Sequence, residues 1–134
     1  MTDEPLRIAV CEDDENLAAL ISETLESDGR FIVVGHARTG DEAIALAEQH
    51  TPDVILMDIG MPGRDGIEAT RAIQSRDNGQ HVVVYTGSGE YADVARADEA
   101  GAVGFLHKDA LRSPDLAEAI FVLHANYVSG VSDD

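Results

Sequence analysis

The sequence predicts an α/β fold: an open, doubly wound parallel sheet of five strands, with right-handed crossovers and helices on both faces. Three observations carry this expectation. Five short runs of β-forming residues alternate strictly with five segments of helical period. Several of the strand runs are apolar at successive positions, as a strand needs when helices cover both faces of its sheet. A chain of 134 residues with 44% hydrophobic content can bury one core without metal or disulfide staples, so one domain is expected.

The strands are read at Leu6 to Cys11 (LRIAVC), Phe31 to Ala37 (FIVVGHA), Asp53 to Asp58 (DVILMD), His81 to Thr86 (HVVVYT) and Val103 to His107 (VGFLH). Leu17, Leu20, Ile21 and Leu25 share one face of a first helix. Ala43, Leu46 and Ala47 do so in a second, behind Thr39 and Glu42 at capping-box spacing. Ile67, Thr70 and Ile73, with Ala69 and Ala72 beside them, mark a third. A fourth runs from about Tyr91 to Ala100 and stops at Gly101. Ser113 and Pro114 are placed as N-cap and first-turn residues of the last, where Leu116, Ala119, Ile120, Leu123 and Tyr127 keep the three-four rhythm. The domain is expected over residues 1–128, with a C-terminal tail over 129–134.

Composition excludes several classes. With 26 acidic against 9 basic side chains and a net charge of −17, nucleic-acid phosphates meet repulsion over most of the surface, so direct nucleic-acid binding is not expected. Apolar runs are far shorter than the roughly 20 residues that cross a bilayer, so no membrane association is expected. The lone Cys11 cannot form an internal disulfide and no secretion signal is recognisable, which makes a cytoplasmic location the expectation. Cys11 itself reads as a small buried residue. The five histidines, at 36, 50, 81, 107 and 124, show no close spacing of metal-ligand type.

In an open parallel sheet the functional crevice lies at the carboxyl ends of the strands. The first strand delivers Glu12, Asp13 and Asp14 there, the third Asp58, the fourth Thr86, and the fifth Lys108. Each alone has an ordinary explanation: Asp13 or Asp14 as a helix cap, Thr86 as a turn residue, Lys108 as a solvated charge. Together they make a site. Carboxylates from two strands would repel unless a cation neutralises them, and a hard divalent ion such as magnesium is the simplest candidate. With that charge offset, Asp58 can attack phosphorus to form an acyl phosphate, while Lys108 and Thr86 contact phosphoryl oxygens.

From about Leu6 to Val128 the sequence resembles the response regulator receiver domain of two-component signalling. The stretch VCEDDENL resembles the family's acidic turn, DIGMPGRDGIEA its phosphoacceptor loop, VVVYTG its hydroxyl strand and GAVGFLHKD its lysine segment. The resemblance implies a flavodoxin-like (βα)5 fold with strand order 2-1-3-4-5. It implies Asp58 as phosphoacceptor, with Asp13, Glu12 through water and the Gly60 backbone carbonyl as ligands of Mg²⁺ or Mn²⁺. Thr86 and Phe105 take the switch positions, Phe105 with the packing role of a tyrosine but no hydroxyl. The implied donor is a sensor histidine kinase or phosphotransfer protein, and an output partner not identifiable from the sequence would read the surface around the fourth helix, fifth strand and fifth helix. Such a domain is not an enzyme beyond its own phosphoryl transfer and slow dephosphorylation, whose rate Gly60 and Ser88 would influence. Asp109 follows Lys108 where many relatives have a cis proline. Motifs such as DIGMPG and FLHKD resemble regulators with a helix-turn-helix output domain, which is not expected within these 134 residues.

Other readings fit less well. A haloacid-dehalogenase-like phosphatase needs a second aspartate where Gly60 stands, and a mononucleotide site needs a glycine-rich loop where CEDDEN stands. The GSG at Gly87 to Gly89 lacks the third glycine of a dinucleotide fingerprint. A binding module that kept the fold and lost the chemistry would lack a key residue, and none is missing. In the last helix Ala117, Phe121 and Val128 form a second apolar strip, expected to be a contact surface for a second copy or a downstream protein.

Overall fold

The computed structural model describes residues 4–61, 66–76, 79–87 and 91–129, with the backbone alone for Tyr91 and residues 127–129. The expected tail from Gly130 onward, Ser88, and the side chains of Tyr127 and Val128 lie outside the described residues. The strands are β1 (Leu6–Cys11), β2 (Phe31–Ala37), β3 (Val54–Asp58), β4 (His81–Thr86) and β5 (Gly104–His107). The helices are α1 (Glu15–Asp28), α2 (Gly40–His50), α3 (Gly66–Gln74), α4 (Tyr91–Glu99) and α5 (Leu116–Ser129). Among the described residues the strands form one all-parallel sheet, ordered β2-β1-β3-β4-β5. The order reverses between β1 and β3, the switch point above whose carboxyl ends an open parallel sheet places its functional crevice.

Strand periodicity sorts nearly continuous apolar runs into two cores. Ile8, Val10, Leu56, Val83 and Tyr85 face α1 and α5, where they meet Leu17, Ile21, Leu25, Leu116 and Ile120. Ala9, Cys11, Ile55, Met57, Val82 and Val84 face the other way, toward Ala43, Ala47, Ile67, Ile73 and Ala97. The sheet is therefore apolar on both faces. Among the described residues no helix is long and apolar enough to cross a membrane.

Helix ends follow local chemistry. Asp14 is the N-cap of α1, its Oδ1 accepting the N–H groups of Asn16 and Leu17 at 3.0 and 3.3 Å. Thr39 caps α2 by accepting from the Glu42 N–H, while Glu42 reaches back to the Arg38 N–H, one residue before the usual capping-box partner. Gly101, at φ +103°, ends α4 in a conformation that favours glycine.

Two expectations are corrected. Leu20 is 36% exposed, because the face buried in α1 is Leu17, Ala18, Ile21 and Leu25. The last helix starts at Leu116, after a 3₁₀ helix over Lys108–Arg112 that the sequence did not reveal and that buries Leu111. Ser113, before Pro114, stays extended, and its hydroxyl accepts from the Asp115 N–H. The apolar strip on α5 is partly engaged within the domain where it can be described, Phe121 being half-buried. Ala117 is buried, and Phe121 packs edge-on against Phe31 at 6.5 Å between ring centroids. The Arg30 guanidinium lies 4.6 Å above the Phe121 ring, held there by Asp28 and Glu118.

Two histidines scattered in sequence also meet. Nδ1 of His81, at the start of β4, lies 3.1 Å from Nδ1 of His124 on α5. Burial lowers both side chains below the ordinary histidine range, His124 adds to the effect on His81, and the Asp53 carboxylate opposes it on both. The folded chain therefore binds these protons less readily than the unfolded chain, whose histidines titrate near about 6.5. The stabilisation is complete above that pH and is lost as pH falls toward the depressed folded values. Urea unfolding of the wild type and of His124→Leu at pH 7.5 and about 5.5 should show a smaller acid loss in the variant. Equal losses would contradict the assignment.

Candidate functional site

The acidic site grows from the ends of β1 and β3. Asp14 is committed to capping α1, which leaves Glu12 and Asp13 on the preceding turn to join Asp58. Glu12 is 2% exposed and Asp58 5%, whereas Asp13 is exposed. Carboxylate oxygens of Glu12, Asp13 and Asp58 all lie within 4.8 Å of one another. For the buried pair, like charges at that separation cost on the order of 3 kcal/mol at an effective dielectric of about 20.

Individual bonds orient these groups. Asp58 Oδ1 accepts the Gly60 N–H at 2.8 Å. Glu12 Oε2 accepts the Asp14 N–H at 3.0 Å, and Glu12 Oε1 accepts the Tyr85 hydroxyl at 2.5 Å. Burial holds Glu12 above the usual carboxylate range; the bonds from Tyr85 and Asp14 and the charge of Lys108 oppose this, and the charge of Asp58 adds to it. Burial and the adjoining Glu12 push the Tyr85 phenol up as well, so it stays protonated as a donor.

The remaining predicted residues arrive from β4 and β5. Asp58 is in register with Tyr85, so Thr86 extends one position beyond the acid on the neighbouring strand and is 9% exposed. Lys108 begins the 3₁₀ helix just past β5; its side chain runs over Gly87, where a Cβ would lie 3.8 Å from Lys108 Cδ. Its charge reaches Glu12. The Lys108–Asp109 peptide is trans, and His107 Nδ1 accepts the Asp109 N–H at 3.1 Å, capping the 3₁₀ helix. Phe105 is half-buried beside the core between the sheet and α4. With Val94, Ala97, Asp98 and Ala102 it lines a cavity of about 380 Å³ between α4 and β5. Cys11 is fully buried and its thiol is pushed up to about 12, so it carries no thiolate chemistry at neutral pH.

The donor set consists of hard carboxylate oxygens around a shared centre, which fits Mg²⁺ or Mn²⁺ and disfavours softer metals. Sequence reasoning missed Tyr85. A phenol among valines in HVVVYT was the available signal, since a buried tyrosine needs a partner for its hydroxyl.

A model of the response regulator receiver domain family matches residues 8–121. The chain is 35% identical over 114 residues to the chemotaxis protein CheY of Halobacterium salinarum, covering 85% of this chain and 92% of that protein. It is 39% identical over 104 residues to the transcriptional regulatory protein PdtaR of Mycobacterium tuberculosis, covering 78% of this chain and 50% of PdtaR. The chain thus spans nearly all of the first relative and about half the length of the second. Among solved structures, the signal receiver domain of NarL from Mycobacterium tuberculosis superposes with a TM-score of 0.86 at 32% identity, over 91% of this chain and 98% of that one.

Proposed function

This chain belongs to the response regulator receiver domain family, and from that premise we propose that it is a phosphoacceptor switch with Asp58 as acceptor. The observation that carries the reading is the convergence of three carboxylates from two strands within 4.8 Å, with the charge of Lys108 acting on the same group. Glu12, Asp13, Asp58 and the Gly60 carbonyl would hold Mg²⁺ or Mn²⁺, which when bound supplies positive charge to offset that of an incoming phosphoryl group.

The chain's own residues do the rest. The Asp58 carboxylate attacks the phosphorus of a phosphohistidine on a sensor kinase or phosphotransfer protein. The P–N bond breaks, its electron pair leaves on the imidazole nitrogen, and an acyl phosphate forms. Lys108 neutralises a phosphoryl oxygen as a point charge and the Thr86 hydroxyl donates to another. Gly60, through its N–H, keeps the Asp58 carboxylate oriented.

The output follows from Thr86 and Phe105. As Thr86 moves toward the new phosphoryl group, Phe105 turns inward behind it, and the α4–β5 cavity that Phe105 lines changes shape. A partner would read that surface through apolar contact, since Phe105 offers no hydroxyl. The switch acts where kinases hold phosphohistidine, in the cytoplasm, and catalyses its own phosphorylation and slow dephosphorylation.

Incubation with acetyl phosphate and Mg²⁺, followed by intact-mass measurement, tests this. One phosphoryl group should be gained with Mg²⁺ and none in excess EDTA. A chain that gains none with Mg²⁺ overturns the proposal.

A further inference from the structure

Tyr85 stands directly before Thr86 on β4, yet its side chain takes the opposite direction. It is fully buried in the core beneath α1 and α5, in the same cluster as Val83, Leu111, Leu116 and Ile120. Phenylalanine would serve such a place without the cost of burying a hydroxyl. The phenol spans β3 to reach the end of β1, where it donates to Glu12 Oε1 at 2.5 Å, with the Cys11 carbonyl oxygen more distant at 3.4 Å. One proton cannot serve both acceptors fully, and the nearer carboxylate takes it. The other oxygen of Glu12 is held by the Asp14 N–H, so the carboxylate is fixed at two points.

We propose that Tyr85 is a positioning residue for the cation site, holding the Glu12 carboxylate beside Asp13 and Asp58 and linking that acid to the strand that presents Thr86. The link has a structural consequence. Glu12 ends β1 and Tyr85 precedes Thr86, so a cation drawn to Glu12 also biases where the end of β4 rests. Outer residues that orient metal ligands typically change metal affinity by tenfold or more when removed. This inference rests on the cation reading of the acidic site given above.

Mn²⁺ binding, followed by the electron paramagnetic resonance of the free ion, tests it on four chains: wild type, Tyr85→Phe, Glu12→Gln and the double variant. Tyr85→Phe should weaken Mn²⁺ binding about tenfold. Its metal-free thermal midpoint should fall only modestly, because the ring still fills the core while Glu12 Oε1 loses its donor. In the Glu12→Gln background, adding Tyr85→Phe should cost little further, because the positioned carboxylate is already gone. Unaltered Mn²⁺ affinity in Tyr85→Phe overturns the proposal. So does an equal loss with and without Glu12, which would mark Tyr85 as a general packing residue. A wild-type chain that binds no Mn²⁺ overturns the cation reading itself, a failure distinct from these two.

Discussion

Asp58→Asn is expected to abolish phosphoryl uptake, a loss of more than about a hundredfold measured by intact mass after incubation with acetyl phosphate and Mg²⁺. An amide has no anionic oxygen with which to attack phosphorus, although its carbonyl oxygen can still accept the Gly60 N–H as Asp58 Oδ1 does. The fold should therefore survive. The same change removes one of two buried acids, and without a cation those acids repel each other. Metal-free Asp58→Asn should accordingly melt higher than the metal-free wild type, by an amount that shrinks once Mg²⁺ is added to both. Greater stability with lost uptake would separate removal of the acceptor from collapse of the site. A variant that takes up phosphate as readily as the wild type would exclude Asp58 as the acceptor.

Gly66→Ala is the substitution with the largest expected effect on stability. Gly66 opens α3, and a Cβ there would lie 2.5 Å from both the Asp58 carbonyl oxygen and the Ile59 Cα. Both are backbone atoms that no rotamer change can move aside. Either the first turn of α3 withdraws or the end of β3 shifts, at a cost of about 2–3 kcal/mol by analogy with overpacked cores. Urea unfolding should register that loss. Since the displaced backbone carries the acceptor, phosphoryl uptake should slow even at temperatures where the variant remains folded. A stability change below about 0.5 kcal/mol would show that the close approach of α3 to β3 is less rigid than the geometry implies.

Much of this architecture was legible because its signals are local. Strand limits matched at β1, β2 and β4, where the apolar runs LRIAVC, FIVVGHA and HVVVYT end at the charged Glu12 and Arg38 and at Gly87. Gly101 was recognisable as a helix stop because only glycine takes its backbone angle at no cost. Assignment of the acidic turn was less complete. Sequence left open whether Asp13 or Asp14 caps α1, and the structure assigns the cap to Asp14, freeing Asp13 for the cluster.

What local signals did not reveal came from contacts between distant segments. Ala117 and Phe121 share a helix face of α5, and Arg30 and Phe31, far away in sequence, partly cover Phe121. Similarly, His81 and His124 are 43 residues apart and meet only because β4 and α5 pack together.

The sequence by itself determined that this is a doubly wound α/β receiver and which acids, hydroxyl and amine its strands deliver to one edge. Apolar period and strand ends are properties of short segments, and a parallel sheet aligns those ends whatever the packing details. Only the tertiary structure decided how each group is held: Glu12 by Tyr85, Lys108 on a 3₁₀ helix over Gly87, and α3 pressed against the backbone of Asp58. Those relations depend on side chains crossing between strands and layers, and no periodicity along a single chain encodes which of many buried partners a polar atom will meet.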